Sequence, residues 1–179
     1  MISNAEQRIG VFVDLSNLYH TAQRIHGARP NFGSILENAV GGRKLIRAFA
    51  YGIATPTSEE EKFLANLTKV GFELRMKDLQ VFADGTKKGD WDVGITIDAL
   101  RYAKKLDVVV LVTGDGDFVP LVQALQHEGV RVEGMAFGES SSAKLKEAVD
   151  LFTDLSKDKR KFLIPSRLAQ MSRIRITRR

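Results

Sequence analysis

Val108-Val109-Val110-Leu111-Val112 is an unbroken apolar run, and all but Leu111 are β-branched. A strand with one wet face alternates apolar and polar residues, so a continuous run of this kind needs cover on both faces. That points to a parallel sheet sandwiched between helices. Strands are also expected over Ile9–Leu15, Lys44–Tyr51, Phe72–Lys77 and Val130–Phe137. Helical patterns separate them, over Leu18–Ile25 and Phe32–Val40, from Thr57-Ser58 to Val70, and from Asp90 or Trp91 to Lys105. Two more cover Asp117–Glu128 and Ser140–Leu151, while Gly27–Asn31 and Val81–Gly89 read as loops. Strands that alternate with helices imply an α/β fold with right-handed crossovers. At 179 residues the chain fits one domain, expected over 1–156, with a basic tail over 157–179.

In such folds the site lies at the carboxyl ends of the strands. Asp14 ends the first strand, and Asp115 and Asp117 follow Val112 in Thr113-Gly114-Asp115-Gly116-Asp117-Phe118. If these two strands are neighbours, three carboxylates meet at one edge, with Asp92 at a nearby helix start. Glycines at 114 and 116 suit a tight turn between the acids. Clustered carboxylates repel, and such a group persists when a cation neutralises it. The chain has no cysteine, and His20, His26 and His127 lack ligand spacing. Hard oxygen donors then favour Mg²⁺ or Mn²⁺. A metal beside basic surface suits phosphodiester hydrolysis.

The blocks VFVDLSNLYH (11–20), KKGDWDVGITIDAL (87–100), TGDGDFVPLVQAL (113–125) and GVRVEGMAFG (129–138) resemble the NYN domain, the LabA-like branch of the PIN-like nuclease superfamily. The stretch SSSAKLKEAVDLF (140–152) is similar to that family's closing helix. The resemblance implies a PIN-like three-layer α/β/α sandwich with a mainly parallel sheet. It also implies a site that binds Mg²⁺ or Mn²⁺ and cuts RNA. By position, Asp14 matches the first acid, Asn17 the polar residue after it, Asp92 the middle acid, and Asp115 and Asp117 the closing pair. Asp90 shares the middle block, but Val93 and the residues after it align with Asp92 as the acid.

Plainer roles stand beside these. Asp14 could cap a helix, and Asp117 could cap the next one. Asn17 could orient a water or cap. Asp98 lies about 240° around the helix from Asp92, so pairing with Arg101 or Tyr102 is expected, and Asp98 stays a second-tier candidate for the site. Thr113 could bond the site or end the strand, and Lys88 could touch a phosphate or stay solvated. Ser140-Ser141-Ser142 reads as an N-cap. Neither a phosphate-binding P-loop nor a dinucleotide-binding glycine pattern is present. A haloacid-dehalogenase phosphatase needs an aspartate two residues after the first; Ser16 stands there.

Charge adds a partner. Of the net +5, residues 157–179 carry nine Lys or Arg against Asp158, which leaves the body at −3. A basic end on a mildly acidic body points to nucleic acid, here RNA, with Arg173, Arg175, Arg178 and Arg179 as contacts. That segment could be a free arm, or Phe162-Leu163-Ile164 could dock on the body. No apolar run approaches membrane-spanning length. The N-terminal MISNAEQRIG lacks a signal peptide's regions, so a cytoplasmic location is expected. The expected function is a metal-dependent ribonuclease. The alternative is a catalytically silent regulator that binds RNA or a protein, and a homo-oligomer or protein partner is compatible with either.

Overall fold

The computed structural model describes residues 4–54, 57–78, 80–81, 87–88 and 90–165. In chain order, β1 (Arg8–Asp14), α1 (Leu15–His26), β2 (Ala28–Pro30), α2 (Phe32–Val40) and β3 (Lys44–Ala54) come first. Then follow α3 (Ser58–Val70), β4 (Glu73–Asp78), β5 (Gln80–Val81), β6 (Lys87–Lys88) and α4 (Asp92–Ala103). Next are β7 (Val108–Val112), α5 (Val119–His127), β8 (Arg131–Ala136) and α6 (Ala143–Ala148). The described chain closes with β9 (Leu151–Asp154), α7 (Lys159–Phe162) and β10 (Leu163–Pro165).

Six strands form one parallel sheet in the order β4-β3-β1-β7-β8-β9. Side chains alternate across it. Ile9, Val11 and Val13 of β1, with Val108, Val110 and Val112 of β7, enter one apolar layer. Phe12, Val109 and Leu111 enter the other. Leu18, Ile35, Leu67 and Phe162 close the first layer, and Ile95, Val122 and Leu145 the second. The uninterrupted run at 108–112 is fully buried because both layers need it. The result is an α/β/α sandwich of PIN-like form. β1 is the first strand laid down, and the strand order departs from it in both directions. The β1/β7 junction is therefore the topological switch point, where a ligand crevice is expected.

Several elements differ from the sequence reading. Helix α1 begins at Leu15, three residues early, because the Asp14 carboxylate accepts the Asn17 amide at 3.0 Å and starts the turn. Ala28–Pro30 is a strand rather than a loop: it pairs antiparallel with Leu163–Pro165, a partner far along the chain. Phe162 and Leu163 accordingly sit in the core. The segment read as one helix over Ser140–Leu151 yields only Ala143–Ala148, followed by the edge strand β9. That strand is anchored where Asp150 takes the Val132 amide at 2.8 Å and Asp154 takes the Gly138 amide at 2.8 Å. Within the expected loop at 81–89, Val81 pairs with Lys87, and Gln80 with Lys88, as a short antiparallel ladder.

Candidate metal centre

Asp14 leaves the central strand β1 at its carboxyl end and is half-buried. Beside it, β7 ends in Thr113, and the chain turns through Asp115 into a short 3-10 turn, Gly116–Phe118, ahead of α5. Asp92 opens α4. Carboxylate oxygens of Asp92, Asp115 and Asp117 lie within 4.8 Å of one another. Asp14 flanks them across an open cleft of roughly 580 Å³ that Asp14, Asp92 and Asp115 line together. Among the described residues, none of the four carboxylates makes an ion pair within 4.0 Å.

The electrostatics follow from that crowding. Burial pushes the Asp14 carboxyl up to about 6; the Asn17 amide opposes this, and the charges of Asp92 and Asp115 reinforce it. Asp92 is also raised, first by burial and then by Asp115, Asp90 and Asp117, against the pull of Lys77. Lys77 is itself engaged by the two residues before Asp92: its ammonium lies 4.7 Å from the centre of the Trp91 ring and bonds the Asp90 carbonyl. Trp91 in turn donates its Nε1–H to the Gly52 carbonyl at 2.7 Å, which fixes the start of α4 to β3. The cluster thus presents closely spaced oxygen donors with too little positive charge nearby. A hard divalent cation fits that donor set.

The loop that carries Asp115 is held from three sides. Asn17 Oδ1 accepts the Gly114 amide at 3.0 Å, so Asn17 serves as a brace between α1 and this loop. Buried Thr113 offers its Oγ1 to the Asp115 amide at 3.3 Å. Asp115 takes the Asp117 amide at 3.0 Å, so the cap of this turn is Asp115, not Asp117. Gly114 and Gly116 do not use positive φ. They leave room instead: a Cβ on Gly114 would stand 3.0 Å from Ser141 Oγ, and one on Gly116 2.6 Å from Ser142 Oγ. The Ser142 amide closes the contact on the Gly114 carbonyl at 2.9 Å. Ser142 holds the N-cap position of α6 without a side-chain cap bond.

Asp98, also singled out from sequence, is not among the residues that line the cleft. Asp98 accepts the Tyr51 hydroxyl at 3.0 Å and faces Arg75 at 3.6 Å and Arg101 at 3.7 Å. Burial and Asp98 together drive the Tyr51 phenol above its ordinary value. The backbone of Lys88 lies in the β5–β6 ladder, while its side chain is outside the described residues, as are Arg173, Arg175, Arg178 and Arg179. Asp90 is exposed at the cleft edge. Sequence reasoning missed Thr21 and Arg24, which line the cleft beside Asn17. Their spacing of four and three residues on one helix was the available signal.

Residues 8–156 match the family model described as the NYN domain. The chain is 26% identical over 165 residues to "Low amplitude and bright protein LabA" of Synechococcus elongatus, and the match spans 87% of each chain. It superposes on the crystal structure of a protein of unknown function from Vibrio parahaemolyticus with a TM-score of 0.83 and 33% identity. That superposition covers 92% of this chain and all of the other.

Proposed function

This chain belongs to the NYN-domain family, and on that footing we propose that it is a metal-dependent ribonuclease that hydrolyses RNA phosphodiester bonds. The observation that carries the reading is the meeting of the Asp92, Asp115 and Asp117 carboxylates within 4.8 Å at the carboxyl edge of the sheet, with Asp14 beside them. Bound there, Mg²⁺ or Mn²⁺ supplies a water nucleophile at neutral pH and neutralises charge on the phosphate. Asp92, Asp115 and Asp117 are the residues that would hold the ion. Asp14, on the same cleft, adds a fourth carboxylate to the set that would neutralise the ion. Asn17 and Thr113 keep the Asp115 loop in place through the Gly114 and Asp115 amides. Arg24, exposed on the same wall of the cleft, offers positive charge to the strand's phosphates. Arg173, Arg175, Arg178 and Arg179 add affinity that does not depend on RNA sequence.

The test is cleavage of labelled single-stranded RNA by the full chain with Mg²⁺, Mn²⁺ or EDTA, wild type beside Asp115→Asn. Expected is cleavage that needs the metal and falls by at least roughly a hundredfold in the variant. A folded wild type that binds RNA and leaves it intact would instead support a regulator that binds without cutting.

A further inference from the structure

A second pocket adjoins the acidic cleft. It has a volume of roughly 470 Å³, and the two share Ser16 and His20. We propose that this pocket receives a nucleobase of the same RNA strand, guanine in preference, and so sets where the strand is cut. The inference rests on the ribonuclease reading of the neighbouring acids.

Its walls are suited to a flat ring. Tyr19 is 36% exposed on α1 and meets Phe63 of α3 at 6.5 Å between ring centres, inclined by 60°. Leu15 and Met76 also line the pocket. Unstacked bases are commonly held by aromatic side chains of this kind. Position supports the same occupant. Tyr19 is five residues past Asp14, about 7.5 Å along the helix axis, so a base can lie here while its phosphate reaches the acids. The rim decides between backbone and base. Glu59 lines the pocket and repels a phosphate, but its carboxylate can accept adjacent N–H donors. Guanine offers N1–H and N2–H₂ side by side, a pair that adenine lacks. Arg29, exposed on the same pocket, can donate to guanine O6 or N7. Among the described residues, neither Arg29 nor Glu59 has an ion-pair partner within 4.0 Å.

The full chain, as wild type, Tyr19→Ala, Tyr19→Phe and Glu59→Gln, should be given a mixed-sequence single-stranded RNA with Mn²⁺ and its cut positions mapped. Wild type is expected to cut at a fixed offset from guanine. Tyr19→Ala should lose roughly tenfold in kcat/KM and Tyr19→Phe should lose little. Glu59→Gln should cut guanine and adenine sites alike, with Mn²⁺ affinity unchanged in all three variants. Wild-type cuts indifferent to the base, or the same profile in Tyr19→Ala and Glu59→Gln, would overturn the pocket's role. If wild type cuts no RNA, the ribonuclease reading fails, and binding of two short RNAs that differ by one guanine-to-adenine change then decides the pocket. Tighter binding of the guanine strand, lost in Tyr19→Ala, sustains it; equal binding overturns it.

Discussion

Asp14 shows how one side chain can serve the fold and oppose it at once. Its carboxylate starts α1, yet its charge is unfavourable in a buried place near two other acids. The folded-state pKa of about 6 lies above the ordinary 3.8. The contribution to stability is therefore full below about 3.8 and is lost as pH rises through about 6. The penalty at neutral pH without metal is at most roughly 3 kcal/mol. Asp14→Asn keeps a good capping residue, so it should raise the unfolding midpoint of EDTA-treated protein at pH 7.5. That gain should vanish near pH 4, and urea melts at the two pH values would read it. The glycines make a second prediction. Gly114→Ala sets a methyl against Ser141, whose Cα would be 3.3 Å away, and should cost about 1–3 kcal/mol while weakening Mn²⁺ binding. Wild-type affinity in that variant would mean the serine contact does not hold the loop. Asp14, Asp115 and Asp117 were legible because apolar runs show where strands end; Asp92 opens a helix and follows no such run. The glycines' purpose was not legible, because Ser141 and Ser142 come from another element.

Between elements, the clearest tie is Arg43 with Glu133. Arg43 sits just past α2 and donates to the Ala39 and Val40 carbonyls at that helix's end. It also grips both oxygens of Glu133 on β8, each at 2.9 Å. Burial pushes Glu133 up, but hydrogen bonds from Arg43 and Arg131 outweigh it and leave the carboxyl below its usual range. Both partners of the Arg43 pair are nearly buried. Glu133→Ala would strand a buried guanidinium and should cost about 3–5 kcal/mol, measured by urea unfolding. A loss under about 1 kcal/mol would show that water reaches the pair. The elements legible in sequence were those with long apolar runs or clear caps, such as Thr57 before α3. β9 is four residues long and follows a helical pattern, and β2 exists only because β10 returns to it. Local periodicity cannot reveal a ladder whose partner lies across the chain.

For the whole molecule, the sheet order matters most. It makes β1 and β7 neighbours, and it is this pairing that gathers acids from distant parts of the chain. The expectation that these strands are adjacent was conditional in the sequence, since strand order has no local signature. The C-terminal segment divides by chemistry. Removing residues 157–179 takes away Phe162 and Leu163 from the core and should lower stability by roughly 2–5 kcal/mol. Removing only 166–179 deletes Arg167, Arg173, Arg175, Arg178 and Arg179 and should flatten the salt dependence of RNA binding. The log–log slope should fall by about 0.7 for each phosphate that is no longer neutralised. The same slope in the shorter chain would contradict a role for those arginines. Mn²⁺ binding, followed by electron paramagnetic resonance for wild type, Asp115→Asn and Asp98→Asn, tests the metal centre most directly. Wild type and Asp98→Asn should bind alike, because Asp98 is engaged by Tyr51, Arg75 and Arg101. Asp115→Asn should bind at least roughly tenfold more weakly. Equal binding by all three, or none by any, would contradict a metal centre built on these carboxylates.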